Sequence, residues 1–260
     1  MMKLLLANDD GIHAQGLQAL AKALATEHEL YILAPHQERS ANGHAITLVT
    51  PLRAEPAPSF PAKHALACAI NGTPADCVKL GLTELLKEVA IDWVLSGINH
   101  GSNLGGDIIY SGTVAAALEG ALNGVPAMAF SLVDGQHADA NFTAATSWIA
   151  EHLPTLIRLH QQAGFDARTA FNINFPPSQT TKAYQALAYC TLADRMYTDF
   201  YAKCQDPRGG HYYWLAGDPL THTLEQDSDV TRVFQGHVTL SPIHASLLNV
   251  TALERLNTLI

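Results

Sequence analysis

Three features of the 260-residue chain predict an α/β fold: a Rossmann-like, doubly wound, mostly parallel sheet with a C-terminal β-hairpin extension. Short apolar runs alternate with helix-period patterns from the N-terminus to about residue 176. Most runs are continuous rather than alternating, as expected of parallel strands covered on both faces. After Pro176-Pro177 the chain becomes aromatic-rich and turn-punctuated. The expected division is a metal- and phosphate-binding core over 1–176 and an extension over 177–260. A chain of this length can bury about 70–75% of its unfolded surface, so it needs no disulfide or metal staple.

The elements follow in order. Strands are expected at residues 3–7, 29–34, 66–70, 93–96, 127–131 and 169–174. Leu17, Leu20 and Leu24 share one face of a first helix. A second opens with Thr73 as N-cap, Pro74 at the first position and Asp76 at the third, with Val78, Leu82 and Leu85 as its apolar face. A third begins near Ser111 and continues through Val114 to Leu118. A fourth covers roughly 140–161, broken or kinked at Pro154. Strand and helix in turn imply right-handed βαβ units. Beyond them, the aromatics of 184–215 surround the turn signal Asp206-Pro207-Arg208-Gly209-Gly210, which predicts an extended hairpin. Such a hairpin exposes apolar surface unless it folds back on its own domain or a partner covers it, so a homodimer or homotetramer is expected.

Charge and cysteine usage narrow the function. Asp plus Glu is 24 and Lys plus Arg is 15, a net charge of −9. A duplex nucleic-acid binder needs a cationic surface, so that class is disfavoured; a small phosphorylated substrate fits if a cation supplies positive charge. Cys68, Cys77, Cys190 and Cys204 form no C-x-x-C pair and read as free thiols of a reducing compartment. Leu4 to Leu6 is too short an apolar run for a signal peptide, and no run reaches the ~18 residues of a membrane span. A cytoplasmic protein with no membrane partner is the expectation.

The polar clusters all follow strands. Asn8-Asp9-Asp10-Gly11 follows the first, and Ala34-Pro35 with 38–43 the second. The run 97–107 follows the strand ending near Ser96 and leads into Tyr110-Ser111-Gly112-Thr113. Carboxyl ends of strands are where open α/β sheets bind ligands. Adjacent carboxylates repel unless a cation joins them, and hard divalent cations prefer oxygen. Asp9 and Asp10 with neutral oxygens of Ser40 and Asn99 therefore suit one Mg²⁺ or Mn²⁺ ion. Taken alone, Asp-Asp-Gly reads better as a turn with a helix N-cap; together with the neighbouring clusters it favours the metal.

Ser111, Gly112 and Thr113 precede an Ala-rich helix and form an anion cradle, or an ordinary N-cap. No P-loop and no G-x-G-x-x-G is present, which removes support for triphosphatase and dinucleotide chemistry. No G-x-S-x-G elbow supports a serine hydrolase. His13, His44 and His100 lie beside the rim, and Arg39 is placed to contact phosphate or to be a surface charge.

At these residues the chain resembles the SurE family, the survival-protein nucleotidases. Asn8-Asp9-Asp10-Gly11, Arg39-Ser40, Asn71-Gly72-Thr73-Pro74-Ala75-Asp76, Ser96-Gly97-Ile98-Asn99, Asn103-Leu104-Gly105, Tyr110-Ser111-Gly112-Thr113-Val114 with Glu119-Gly120, Asn172-Ile173-Asn174-Phe175-Pro176 and Asp206-Pro207 stand in family order. Gln15, Ala116 and Leu240-Ser241-Pro242-Ile243 depart from common family residues and touch no expected ligand.

The resemblance implies divalent-metal-dependent hydrolysis of nucleoside 5′- and 3′-monophosphates, and in some members of short polyphosphate. It implies Asp9, Asp10, Ser40 and Asn99 as metal ligands, with Asp9, Asp10 and Asn99 in the catalytic centre. Ser111, Gly112, Thr113 and Asn103 are expected to hold phosphate, and the C-terminal extension to be exchanged between protomers. Two alternatives stand beside it. A nucleotide-binding or sensing module with negligible turnover would keep the cleft, and a structural oligomerisation protein would explain the hairpin but not the rim.

Overall fold

The computed structural model describes residues 1–133, 141–177, 184–194, 197–219, 225–248 and 250–257. Six parallel strands form the centre: β1 (Lys3–Ala7), β2 (Glu29–Pro35), β4 (Leu66–Ile70), β5 (Trp93–His100), β6 (Ala127–Leu132) and β7 (Thr169–Phe175). The short β3 (Ala54–Pro56) pairs antiparallel with β4 at one edge. At the other edge β11 (His237–His244) runs antiparallel to β7, and β8 (Gln185–Tyr189) runs parallel to β11. The described order is β3-β4-β2-β1-β5-β6-β7-β11-β8. The chain moves outward from β1 through β2 to β4, then returns to β5 on the other side of β1. That reversal makes the carboxyl ends of β1 and β5 the switch point, where a crevice opens in a doubly wound sheet.

Both faces of the sheet are covered. Leu4 and Leu6 pack with α1 (Gln15–Leu24) and α4 (Thr143–Gln162) in one apolar layer, while Leu5 faces the opposite layer with α2 (Pro74–Leu80) and α3 (Gly112–Leu122). This is why the central strands read as unbroken apolar runs. Thr73 caps α2 in a complete capping box with Asp76, and Ser111 caps α3 by accepting from the Val114 N–H.

Several expectations need correction. The second helix does not continue regularly to Leu85: it passes at Gly81–Leu85 into one wide π-type turn. The wider turn advances the buried position by one residue, so Leu86 is buried and Leu85 is exposed. The fourth helix runs unbroken through Pro154, which sits on its exposed side, where water can satisfy the freed carbonyl. Residue 140, its expected start, lies outside the described residues.

The hairpin spans 197–219 in place of 184–215. Its arms are β9 (Tyr197–Gln205) and β10 (His211–Pro219), joined across the expected turn at Asp206–Gly210. The 184–189 stretch instead joins the main sheet as β8. The 177–260 segment thus returns to the core sheet through β8, β11 and the short α5 (Asp229–Phe234), and the last of its described elements is α6 (Val250–Asn257). Phe200, Tyr201, Tyr212, Tyr213 and Trp214 are exposed on the hairpin.

Candidate active site

Two loops are stitched together beyond β1 and β2. The Ile12 N–H donates to Pro35 O at 2.8 Å, the Arg39 N–H donates to Asp9 O at 2.7 Å, and Asn8 Nδ2 donates to Gly11 O at 2.9 Å. Asp9 is thereby fixed at the mouth of β1, with its side chain buried. Burial raises its carboxyl above the ordinary value, and the charge of Asp10 adds to that; hydrogen bonds from Thr113 oppose both. Burial likewise raises Asp10, with the charge of Glu38 adding, while the His100 N–H donates to its Oδ2 at 3.1 Å.

The third component comes from β5. Its pairing with β6 slips between Ser96 and Asn99, so Gly97 and Ile98 oppose Phe130 in a bulge. Gly97 has φ +123°, and a Cβ there would stand 2.3 Å from Phe130 O, so a side chain is excluded at this position. The bulge re-aims Asn99 toward the switch point. Its Nδ2 is spent on Gly101 O at 2.9 Å, which leaves Oδ1 available. Thr113 Oγ1 donates to Asp9 Oδ1 and lies 3.3 Å from Asn99 Oδ1. One buried hydroxyl thus ties β1, β5 and α3 into a single oxygen-rich cluster.

The residues present fit a hard divalent cation. No group of three or more His, Cys, Asp and Glu forms a metal cage among the described residues. The available donors are two adjacent carboxylates, Asp9 buried and Asp10 half-buried, and an amide oxygen, an all-oxygen set of the kind hard divalent cations prefer. Ser40 stands on the exposed loop after β2, with its hydroxyl on Glu38 Oε1 at 2.7 Å. Because the Glu38 charge reaches Asp10, Ser40 belongs to the same rim but is bonded away from the pair.

The expected phosphate residues separate. Gly112, the first residue of α3, lies beside Asp9, and Ser111 precedes it as the N-cap. The Thr113 hydroxyl is committed to Asp9. Asn103 is drawn into a buried network: its N–H donates to Asn174 Oδ1, its Nδ2 to Ser131 Oγ, and its carbonyl accepts from Asn172 and Asn174. Buried amides between strand ends need partners, and this network supplies them.

His100 packs its ring on Phe142 at 5.1 Å, and burial lowers its pKa. His13 is exposed. Arg39 is half-buried, and its charge is felt at Cys77 on α2.

Sequence reasoning missed the support of this rim. Glu119, buried on α3, is held by His44 Nε2 at 2.8 Å and Lys79 Nζ at 2.8 Å, with Asn123 Nδ2 at 2.9 Å. Thr47 bonds Asp76 through its N–H and hydroxyl, and Thr73 Oγ1 donates to Ala45 O at 2.7 Å. These contacts hold residues 44–47 against the start of α2 and the second half of α3. The available signal was a lone acid inside an Ala-rich helix.

The chain resembles known proteins along its whole length. The sequence pattern of the family described as "Survival protein SurE" matches residues 4–199. The chain is 41% identical to the 5′-nucleotidase SurE of Pelotomaculum thermopropionicum, spanning 100% of this chain and 95% of the relative. It is 42% identical to the 5′-nucleotidase SurE of Synechococcus sp. (strain JA-3-3Ab), spanning 98% and 96%. The crystal structure of the SurE protein from Aquifex aeolicus superposes with a TM-score of 0.81 at 31% identity, over 99% of both chains. The shared pattern, the end-to-end relatives and the common fold together place this chain in the SurE family.

Proposed function

We propose that the protein is a phosphomonoesterase that hydrolyses nucleoside monophosphates, at the 5′ and the 3′ position, and short polyphosphate as a lesser substrate. One observation carries this reading: Asp9 and Asn99 meet around Thr113 at the switch point, beside the N-terminus of α3. The names of the relatives, 5′-nucleotidase, support it. A pure phosphate-binding or sensing module would gain nothing from two adjacent carboxylates beside an anion.

Asp9, Asp10, Asn99 and, after a turn of its side chain, Ser40 would hold one Mg²⁺ or Mn²⁺ ion, which supplies positive charge for the phosphoryl oxygens. The other contributions come from the chain. Thr113 and the His100 N–H fix the two carboxylates, so little reorganisation is needed when the ester arrives. Gly112 lets the start of α3 pack directly against Asp9, where a side chain would collide with the carboxylate. The Ser111 hydroxyl accepts from Val114 N at 3.0 Å and keeps its own proton to donate to a phosphate oxygen. The partial positive charge of the α3 N-terminus favours that anion.

The protein is proposed to act in the cytoplasm as a homodimer or homotetramer with its C-terminal extension exchanged. Its four free cysteines suit a reducing compartment, and the exposed hairpin aromatics suit burial by a second copy. Among the described residues no helix is long and apolar enough to cross a membrane.

The decisive experiment is phosphate release from AMP, 3′-AMP and tripolyphosphate with Mg²⁺ or Mn²⁺. Wild type should turn over the nucleotides, and EDTA should abolish release until metal is restored. Asp9→Asn and Asp10→Asn should each lose most activity while keeping the wild-type circular dichroism spectrum. Normal turnover by both variants, or full activity in chelator, refutes the assignment.

A further inference from the structure

We infer that His44 is a positioning residue for Ser40: through its bond to Glu119 it fixes the loop that carries Ser40 beside Asp9 and Asp10, a role that rests on the one-ion reading above. That loop is pinned at both ends. At the near end the Arg39 N–H donates to Asp9 O at 2.7 Å. At the far end the Gly43 N–H donates to Tyr110 O at 2.9 Å, and His44 Nε2 donates to Glu119 Oε2 at 2.8 Å. Only residues 40–42 lie between, and Asn42 Nδ2 closes them into a turn on Arg39 O at 3.0 Å. Within the turn Ala41 is left-handed, with φ +59°. A residue with a side chain keeps that conformation only where its surroundings fix it.

His44 is the first residue after Ser40 whose side chain grips a buried partner. The Glu119 side chain is 4% exposed and is held from its other oxygen by Lys79 and Asn123. A hydrogen bond to a fixed carboxylate is stronger than one between neutral groups. Glu119 also lies six residues after Thr113 on α3, about 9 Å along the axis. One helix therefore locates Asp9 through Thr113 and the Ser40 loop through Glu119. With its backbone fixed, Ser40 needs only a turn of its side chain away from Glu38 to face the two aspartates. A wandering loop would lose conformational entropy when an ion draws it in, and the ion would bind more weakly. Beyond His44, Thr73 holds Ala45 and Asp76 holds Thr47, so residues 45–47 stay on α2 without it. Loss of the imidazole loosens the Ser40 side of the loop and spares the fold.

The test is Mn²⁺ binding to the full chain without substrate, read from the electron paramagnetic resonance of the free ion, beside thermal unfolding. His44→Ala should weaken Mn²⁺ binding by about 10–100-fold, the scale for losing a group that orients a ligand, and Ser40→Ala should weaken it comparably. Adding His44→Ala to Ser40→Ala should cost no more than about twofold further, because changes that act through one contact do not add. His44→Gln, which keeps an N–H donor, should recover most of the affinity. Thr47→Val, which loosens the chain on α2, should lower the unfolding temperature and leave Mn²⁺ binding within about twofold of wild type.

Equal Mn²⁺ affinity in wild type and His44→Ala overturns the role. So does a full further loss when His44→Ala is added to Ser40→Ala, or His44→Gln binding no better than His44→Ala. A loss in Thr47→Val as large as that in His44→Ala also overturns it, since any loosening would then suffice. Mn²⁺ binding that Asp9→Asn leaves unchanged overturns the one-ion reading itself, and the positioning role with it. Binding lost in Asp9→Asn and intact in His44→Ala overturns the positioning role alone.

Discussion

Gly112 faces Asp9 so closely that a Cβ on it would stand 2.7 Å from Asp9 Cβ and 2.9 Å from its Oδ2. A third contact, 3.0 Å to Pro74 Cγ, closes the other side. The first residue of α3 is thus a spacer between a helix start and a carboxylate.

Gly112→Ala should lower kcat/KM for AMP by about 100-fold, the scale of an ångström-sized misplacement at a reacting centre. Helical content should stay the same, because alanine favours the helix by roughly 1 kcal/mol over glycine. Activity within threefold of wild type would show that the site tolerates the displacement.

Glu119 governs an acid-dependent share of stability. Burial pushes its carboxyl up, but hydrogen bonds from His44, Lys79 and Asn123 and the Lys79 charge outweigh that and hold it below its ordinary value of 4.5. A depressed carboxyl stabilises the fold above its unfolded value, and that share is lost as pH falls through the folded value. Glu119→Gln should cost roughly 1.5–3 kcal/mol at pH 7, the range for hydrogen bonds to a charged group. Urea unfolding should show the gap narrowing as pH drops below 4.5. A gap constant from pH 7 to pH 3 contradicts the ionic role.

The π-type turn makes a register prediction. Leu86→Ala should destabilise by about 2–4 kcal/mol, as for a buried leucine, while Leu85→Ala should cost well under half of that. Equal losses in denaturant midpoints would mean that the turn keeps the ordinary helical register.

Trp214 is 67% exposed on β10, among other exposed aromatics of the hairpin. In the proposed oligomer a second copy covers it. Trp214→Asp should shift the protein toward the monomer in sedimentation, with far-UV circular dichroism unchanged. An unaltered sedimentation coefficient removes this face from the interface.

The six central strands were legible because a strand buried on both faces leaves a mark that no other element of five or six residues leaves. The capping box at Thr73 and the start of α3 at Ser111 were legible for a local reason: the cap and its partner lie three residues apart. Asp9, Asp10 and Asn99 could be nominated from their place at or just after the carboxyl ends of strands. Their convergence could not, because it depends on the bulge at Gly97 and Ile98 and on which strands neighbour β1. Leu86 was hidden because one widened turn shifts a helical face without changing composition.

Local chemistry along the chain therefore determined the strands, the helix starts and the polar rim. Tertiary structure alone decided that Thr113 serves Asp9, that Asn103 is spent on Asn172 and Asn174, and that β11 returns beside β7. Each of these joins residues far apart in sequence. A buried hydroxyl or amide takes whichever partner the packed elements bring within about 3 Å, and no local pattern specifies that partner.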